Sequence, residues 1–263
     1  MAKASWRALV PLLLGVWMLG VWARLAWAAA IDFPPTQLTI YNYAGTQVIG
    51  HSLYRLKTVA GKRIVFGENR YLDGQYDIEH DEIVPGVAGK QPRLLTFEHD
   101  YFAADGSRQF VDKADFQIGA SSCIQYRAGV ASVLQKHFNF PSDTYAGAAV
   151  MIPLQDELRR GVKGPIEFHD FNCVPGPGVF TVRAFVQPPA PWRFYPGQLV
   201  RVRIKPYFGW WNFAVAMFLP EFDVWFNPAR DWRFVGARFS RYYKGAQVLL
   251  VRGQDRRAPK PAP

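Results

Sequence analysis

Only two cysteines, Cys123 and Cys173, occur in 263 residues. Neither lies near the N-terminus, which excludes a lipoprotein anchor through an N-terminal cysteine. Neither sits in a Cys-x-x-Cys pair, and zinc-finger and His-Glu-x-x-His spacings are absent. The glycines form neither a phosphate-cradling loop nor a dinucleotide-binding turn. Gly119-Ala120-Ser121-Ser122-Cys123 lacks the second glycine of a nucleophile elbow. These absences leave no catalytic residue, no metal and no cofactor to assign. Acid is also short, with 21 Asp and Glu against 31 Lys and Arg.

What is present begins with an export signal. Lys3 and Arg7 precede an apolar stretch from Ala8 to Ala23, which leads to Ala26-Trp27-Ala28-Ala29-Ala30. Small residues there suit cleavage after Ala28 or after Ala30. The alternative is an uncleaved anchor, because apolar residues continue almost to Ile31. Arg24 interrupts that run and favours cleavage. The expected location is periplasmic or secreted. Removing residues 1–30 leaves 233 residues and a net charge of +7, since Lys3, Arg7 and Arg24 go with them. That size suits a single domain over 31–252. A basic exported chain is drawn to anionic surfaces such as a membrane, and nucleic acid is not expected as a partner. In an oxidising compartment Cys123 and Cys173 pair most simply with each other.

Residues 31–127 read as antiparallel strands punctuated by Ala44-Gly45-Thr46, Ala60-Gly61-Lys62, Asp73-Gly74 and Ala104-Asp105-Gly106-Ser107. Arg127–Phe138 and Tyr145–Arg160 have the spacing of short helices, a helical insert over about 128–160. Pro153 fits only a first helical turn, so the regular helix is expected from about Ile152. The disulfide would then staple this insert to the sheet. Strands return over 164–252. Val200, Val202 and Ile204 are expected inward, with Arg201, Arg203 and Lys205 outward. Residues 253–263 are basic and proline-rich, the composition of a disordered tail.

Two features carry possible chemistry. The first is a recurring His-Asp pair at His80-Asp81, His99-Asp100 and His169-Asp170. Neighbours in a strand face opposite ways, so no such pair can meet one ion. The alternation sets Tyr76, Ile78 and His80 on an apolar face and Asp77, Glu79 and Asp81 on a wet one. Leu95, Phe97, His99 and Tyr101 also fall together. This register expects His80 and His99 side by side on the apolar face, as polar partners of a ligand. The second feature is the aromatic stretch Tyr207–Phe234. Trp210, Trp211, Phe213, Trp225 and Trp232 are its candidate ligand contacts. Apolar residues occupy both of its faces, so it is covered on both sides or faces something greasy.

The layout resembles bacterial periplasmic proteins related to the lipoprotein-carrier half-barrel family. The matching segments are Ile49-Gly50-His51-Ser52-Leu53 and Phe140-Pro141-Ser142-Asp143-Thr144-Tyr145. The latter leads into a helix that ends at Arg160-Gly161, and strands return from Pro165. The likeness covers residues 36–250 as architecture. It implies a curved antiparallel sheet wrapped over helices around an apolar cavity, and it carries over no ligand residues. The paired cysteines and the Trp-rich hairpin depart from it.

The expected fold is mainly β, a curved antiparallel sheet or open β-barrel with one or two short helices. The expected function is non-catalytic binding or carriage of an apolar or lipid-like ligand in the cell envelope. Two alternatives stand beside it: an envelope hydrolase acting on polysaccharide or lipid, and a ligand-free scaffold or adaptor.

Overall fold

The computed structural model describes residues 31–32, 35–86, 90–173, 176–207, 209, 222–241 and 245–253. The expected signal peptide and most of the tail therefore lie outside the described residues. The first half is a meander. It runs β1 (Ile31–Asp32), β2 (Thr36–Asn42), β3 (Val48–Val59), β4 (Lys62–Tyr71), β5 (Tyr76–Val84), β6 (Arg93–Phe102), β7 (Arg108–Asp115), β8 (Ala120–Arg127) and β9 (Val130–His137). From β2 onward each strand pairs antiparallel with the next, and β1 pairs with the far end of β3.

After β10 (Thr144–Tyr145) comes a 3-10 turn, Gly147–Val150, and then helix α1 (Met151–Arg159). The second half runs β11 (Ile166–Asn172), β12 (Gly178–Val186), β13 (Ala190–Trp192), β14 (Tyr195–Pro206), β15 (Phe222–Asn227), β16 (Arg233–Ser240) and β17 (Gln247–Arg252). β17 pairs with β2, which joins the halves into one sheet.

Short turns set this meander. Ala60-Gly61 and Ala128-Gly129 both take positive φ at both positions, 50° and 77° in the first and 49° and 79° in the second. That backbone matches the twist of a two-residue hairpin. The second turn overturns the helix expected over Arg127–Phe138. Those residues form β8's end and β9, and every residue of β9 is exposed. A strand with no buried face has no period-two signal to set it apart from a helix. Tyr145–Arg160 is helical only from the 3-10 turn onward, and Pro153 falls in the first turn of α1, as expected.

The sheet is strongly curved but is not closed by hydrogen bonds. One edge is β9; the other is β10, which adds parallel to β11. The Cys123–Cys173 disulfide crosses between these ends, linking β8 to the residue that follows β11, with Cα atoms 5.6 Å apart. It therefore staples strand to strand across the seam rather than tying a helix to the sheet. Phe116, Phe138, Phe140 and Phe171 fill the seam beside it. Phe140 stands 4.6 Å from Phe116, 5.2 Å from Phe138 and 5.9 Å from Phe171 between ring centroids.

Two cores follow from the patterning. Inside the curve, Ile83, Leu94, Phe97, Leu154, Phe168, Val202 and Phe226 belong to the main cluster. Val200, Val202 and Ile204 are buried inward as expected. The outer face of β14–β17 carries a second cluster of Tyr195, Leu199, Trp225, Val235, Leu249 and Val251. The β13–β14 turn folds over it, with Trp192 and Phe194 as its lid. The strands of the aromatic stretch are thus covered on both faces.

In the loop-entropy model, a crosslink over a sequence separation of 50 stabilises by about 4 kcal/mol. The expected outcome is that Cys123→Ser with Cys173→Ser loses about that much in urea unfolding. An unchanged midpoint would show that the aromatic seam holds without the bond.

Candidate functional site

β5 is the strand that organises the interior. Its burial alternates, with Asp77, Glu79, Asp81 and Ile83 buried and His80 exposed. This inverts the expected register. Tyr76 and Ile78 face outward, where Tyr76 stacks on Phe102 at 4.5 Å and lies under Arg70. His80 pairs with Glu98, while His99 pairs with Glu79, so the two histidines stand on opposite faces and cannot form one site. The physical reason is that this part of the interior is polar. Assigning the apolar side to the core puts β5 the wrong way round.

Across the neighbouring strands, Gly67, Glu79, His99, Asp112 and Cys123 form one cross-strand row. Ser52, Asn69, Asp77 and Tyr101 form the next. Asp77 lies at the centre. Asn69 Nδ2 donates to Asp77 Oδ1 at 2.7 Å, and His99 Nε2 lies 2.9 Å from the same oxygen. Tyr101 Oη lies 3.1 Å from His99 Nδ1, and its ring stacks on the imidazole at 4.2 Å. A Cβ at Gly67 would come within 2.9 Å of the Tyr54 ring, so glycine there leaves room for Tyr54 across β4.

The plug completes the site. Ala148 N–H donates to Glu79 Oε1. Gly147 has φ of 49°, and a Cβ there would collide with the same carboxylate. The 3-10 turn therefore seats its amide end on an acid of the wall.

Burial opposes the imidazolium of His99, but Asp77 by hydrogen bond and charge, with Glu79 and Asp112, outweighs it and raises the pKa to about 9. At neutral pH both ring nitrogens carry protons, one donating to Asp77 and the other to Tyr101 Oη. Burial, followed by the charge of Glu79 and a proton-sharing approach to it, raises Asp81 well above the carboxylate range. Burial lifts Asp112 to about 7 against the opposing charge of His99. Asp81 is 0% exposed, and neither of its oxygens has a hydrogen-bond donor among the described residues. Ser52 Oγ, Asn69 Oδ1 and Asp112 Oδ1 are likewise unpartnered.

Chemically, the network is a held ion pair rather than a proton relay. An imidazolium is no general base, and among the described residues Tyr101 Oη has no hydrogen-bond partner besides His99. Among the described residues, the group close enough to share a metal ion is Asp112 with Cys123 and Cys173, whose sulfurs are already bonded to each other.

The other candidates are dispersed. Trp225 is 5% exposed in the outer core and stacks on Trp192 at 4.5 Å and 8°. Trp232 packs against the main core. Trp210, Trp211 and Phe213 lie outside the described residues. His169 Nδ1 bonds Asp143 Oδ1 at 2.9 Å, away from the network. The residues that sequence reading missed are Asn69, Asp77, Glu79, Asp81 and Asp112. The available signal was pairing: once His99 and Tyr101 point inward, their partners on β5 are Glu79 and Asp77.

No protein-family profile and no curated protein matches the chain. Among solved structures, it is similar to a beta-barrel-like protein of domain of unknown function DUF1849 from Brucella abortus. The identity is 11% and the TM-score 0.45, over 83% of this chain and 94% of that one.

Two outcomes are expected. His99→Ala leaves Asp77 buried without its charge partner and destabilises by about 3 kcal/mol or more. His80→Ala, on the exposed face, stays within about 0.5 kcal/mol. Urea midpoints of both variants test this register. The pH dependence follows from the same shifts. Asp112 and Asp170 rise to about 7, in both cases through burial, and His99 rises to about 9. Asp81 also rises. All four hold protons more tightly when folded. The His99 contribution is complete below its unfolded value and is lost as pH rises through about 9. The raised carboxyls likewise lose stability as pH climbs from their unfolded range through about 7. Stability is therefore expected to fall from pH 5 to pH 9, and Asp81→Asn to flatten the slope. A curve that rises over this range would refute the assignment.

Proposed function

We propose that the chain is a non-catalytic binding or carrier protein of the cell envelope, holding a small lipid-like amphiphile inside its curved sheet. The observation that carries this is a set of unpartnered polar atoms within an otherwise apolar inner face of the sheet. That face is aromatic and aliphatic over Phe97, Phe168, Phe171 and their neighbours. Within it Ser52, Asn69, Asp81 and Asp112, from three neighbouring cross-strand rows, retain unpartnered atoms. Buried polar atoms in a finished core are almost always paired. Unpaired ones beside partly buried Tyr54, His99 and Tyr101 suit a surface that a ligand completes.

The disulfide fits an oxidising compartment, in keeping with the expected export signal. No helix among the described residues is long and apolar enough to cross a membrane, which says nothing of strands. The 3-10 turn packs against β4, β5 and β6. That helix-against-sheet arrangement supports kinship of architecture with the lipoprotein-carrier half-barrels. The outer face adds basic character. Arg203 and Arg238 reach Asp223 at 3.2 and 3.4 Å, with Arg201 at 4.0 Å. The chain's net charge of +10 favours an anionic membrane surface.

Native mass spectrometry of protein purified from its own envelope tests this reading, followed by organic extraction. A co-purifying amphiphile is expected. A clean unliganded mass, unchanged after incubation with lipids of that envelope, would overturn it.

A further inference from the structure

We propose that the acid-lined wall of β5 is a binding site for the ammonium group of an organic amine. This inference rests on the interior-pocket reading above and names the polar end of its ligand.

The wall is acid in excess. Asp77, Glu79 and Asp81 all face inward. Alternate strand positions are separated by about 7 Å. Asp112 joins them from β7, and His99 is their one basic neighbour in the row. Asp77 is satisfied by Asn69 and His99, and Glu79 receives the Ala148 amide. Asp81 has no donor for either oxygen, although it is fully buried. Asp112 Oδ1 and Asn69 Oδ1 are also unpartnered. These three orphans are all acceptors when the acids are ionised. The missing group is therefore a donor, and beside acids it is best a charged one. An ammonium offers three donors and a full positive charge.

A metal ion fits less well. Asp77, Glu79, Asp81 and Asp112 do not together bring their ligand atoms close enough to share one. Tyr54 beside Gly67, together with Phe97 and Tyr101, supplies ring faces that attract ammonium.

Proton exchange supports the same reading. The titratable groups that act on Asp81 are Glu79 on its own strand and Tyr54 on β3. His99 and Tyr101 on β6 instead act with Asp112 on β7 and with Asp77 and Glu79. In the unliganded protein, burial keeps a proton on Asp81. An arriving ammonium takes that proton's place, and the proton leaves to solvent. Nothing is oxidised or transferred covalently.

Isothermal titration of the full mature chain with octylamine, 1-octanol, octanoate and spermidine tests the proposal. Octylamine is expected to bind at least about tenfold tighter than 1-octanol or octanoate, the worth of one charge-assisted hydrogen bond. Its heat should vary with buffer ionisation as protons are released. Asp81→Asn and Asp112→Asn are each expected to erase most of that preference. Far-UV circular dichroism and the urea midpoint establish that both variants fold, and the amide introduced by Asp81→Asn mimics the protonated acid already present. Equal binding of the three octyl probes would overturn the amine site and leave the interior pocket standing. Binding of none would overturn both. Spermidine bound more tightly than octylamine would uphold the amine site, with a free polyamine as its source, and would sink the lipid-like reading.

Discussion

An antiparallel sheet that curves without closing has two free edges, and something must keep them together. Here that constraint is covalent. Cys123 and Cys173 tie β8 to the end of β11 where no ladder of hydrogen bonds joins the edges. The phenylalanines around Phe140 fill the same seam. The interior depends on this tie, because the half-cylinder has an inside only while its edges stay near each other. Cys123 also stands in the row that holds Glu79, His99 and Asp112, so the staple and the polar wall share one line across the sheet.

The polar wall has an electrostatic logic of its own. A carboxylate deep in a protein is tolerated when it is paired or protonated. Asp77 follows the first course, through Asn69 and His99. Asp81 follows the second. The two courses occur four residues apart on one strand because cross-strand neighbours differ. Asp77 sits beside Asn69 and Tyr101, whereas Asp81 sits between Val65 and Phe97.

Much of the architecture is legible because turns speak locally. Ala60-Gly61 and Asp73-Gly74 mark hairpins that the structure contains, and Val200, Val202 and Ile204 keep their expected face. Ala128-Gly129 carries the same two residues as the first of these turns. Its meaning is hidden because β9 buries nothing and so shows no alternation. The site is legible only in part, as His99 and not as His80. Alternation reports that a strand has two unlike faces; it does not report which face is inside. The assumption that the apolar face is inside holds for Val200–Ile204 and fails for Tyr76–Ile83. The buried role of Trp225 is hidden for a related reason. Ordinary alternation turns Trp225 and Phe226 to opposite faces of β15, and the lid over the outer face makes both sides dry.

The pairing of β17 with β2 bears on how the chain is made. Residues 36–137 form a meander of successive neighbours, each strand able to find its partner soon after synthesis. The second half is also consecutive, but its junction with the first is the ladder Leu38–Asn42 against Val248–Arg252. Until that last strand emerges, the sheet exists as two pieces, and Cys123 and Cys173 belong to different ones. The complete sheet is therefore reached only after β17 has been made, long after the meander of the first half.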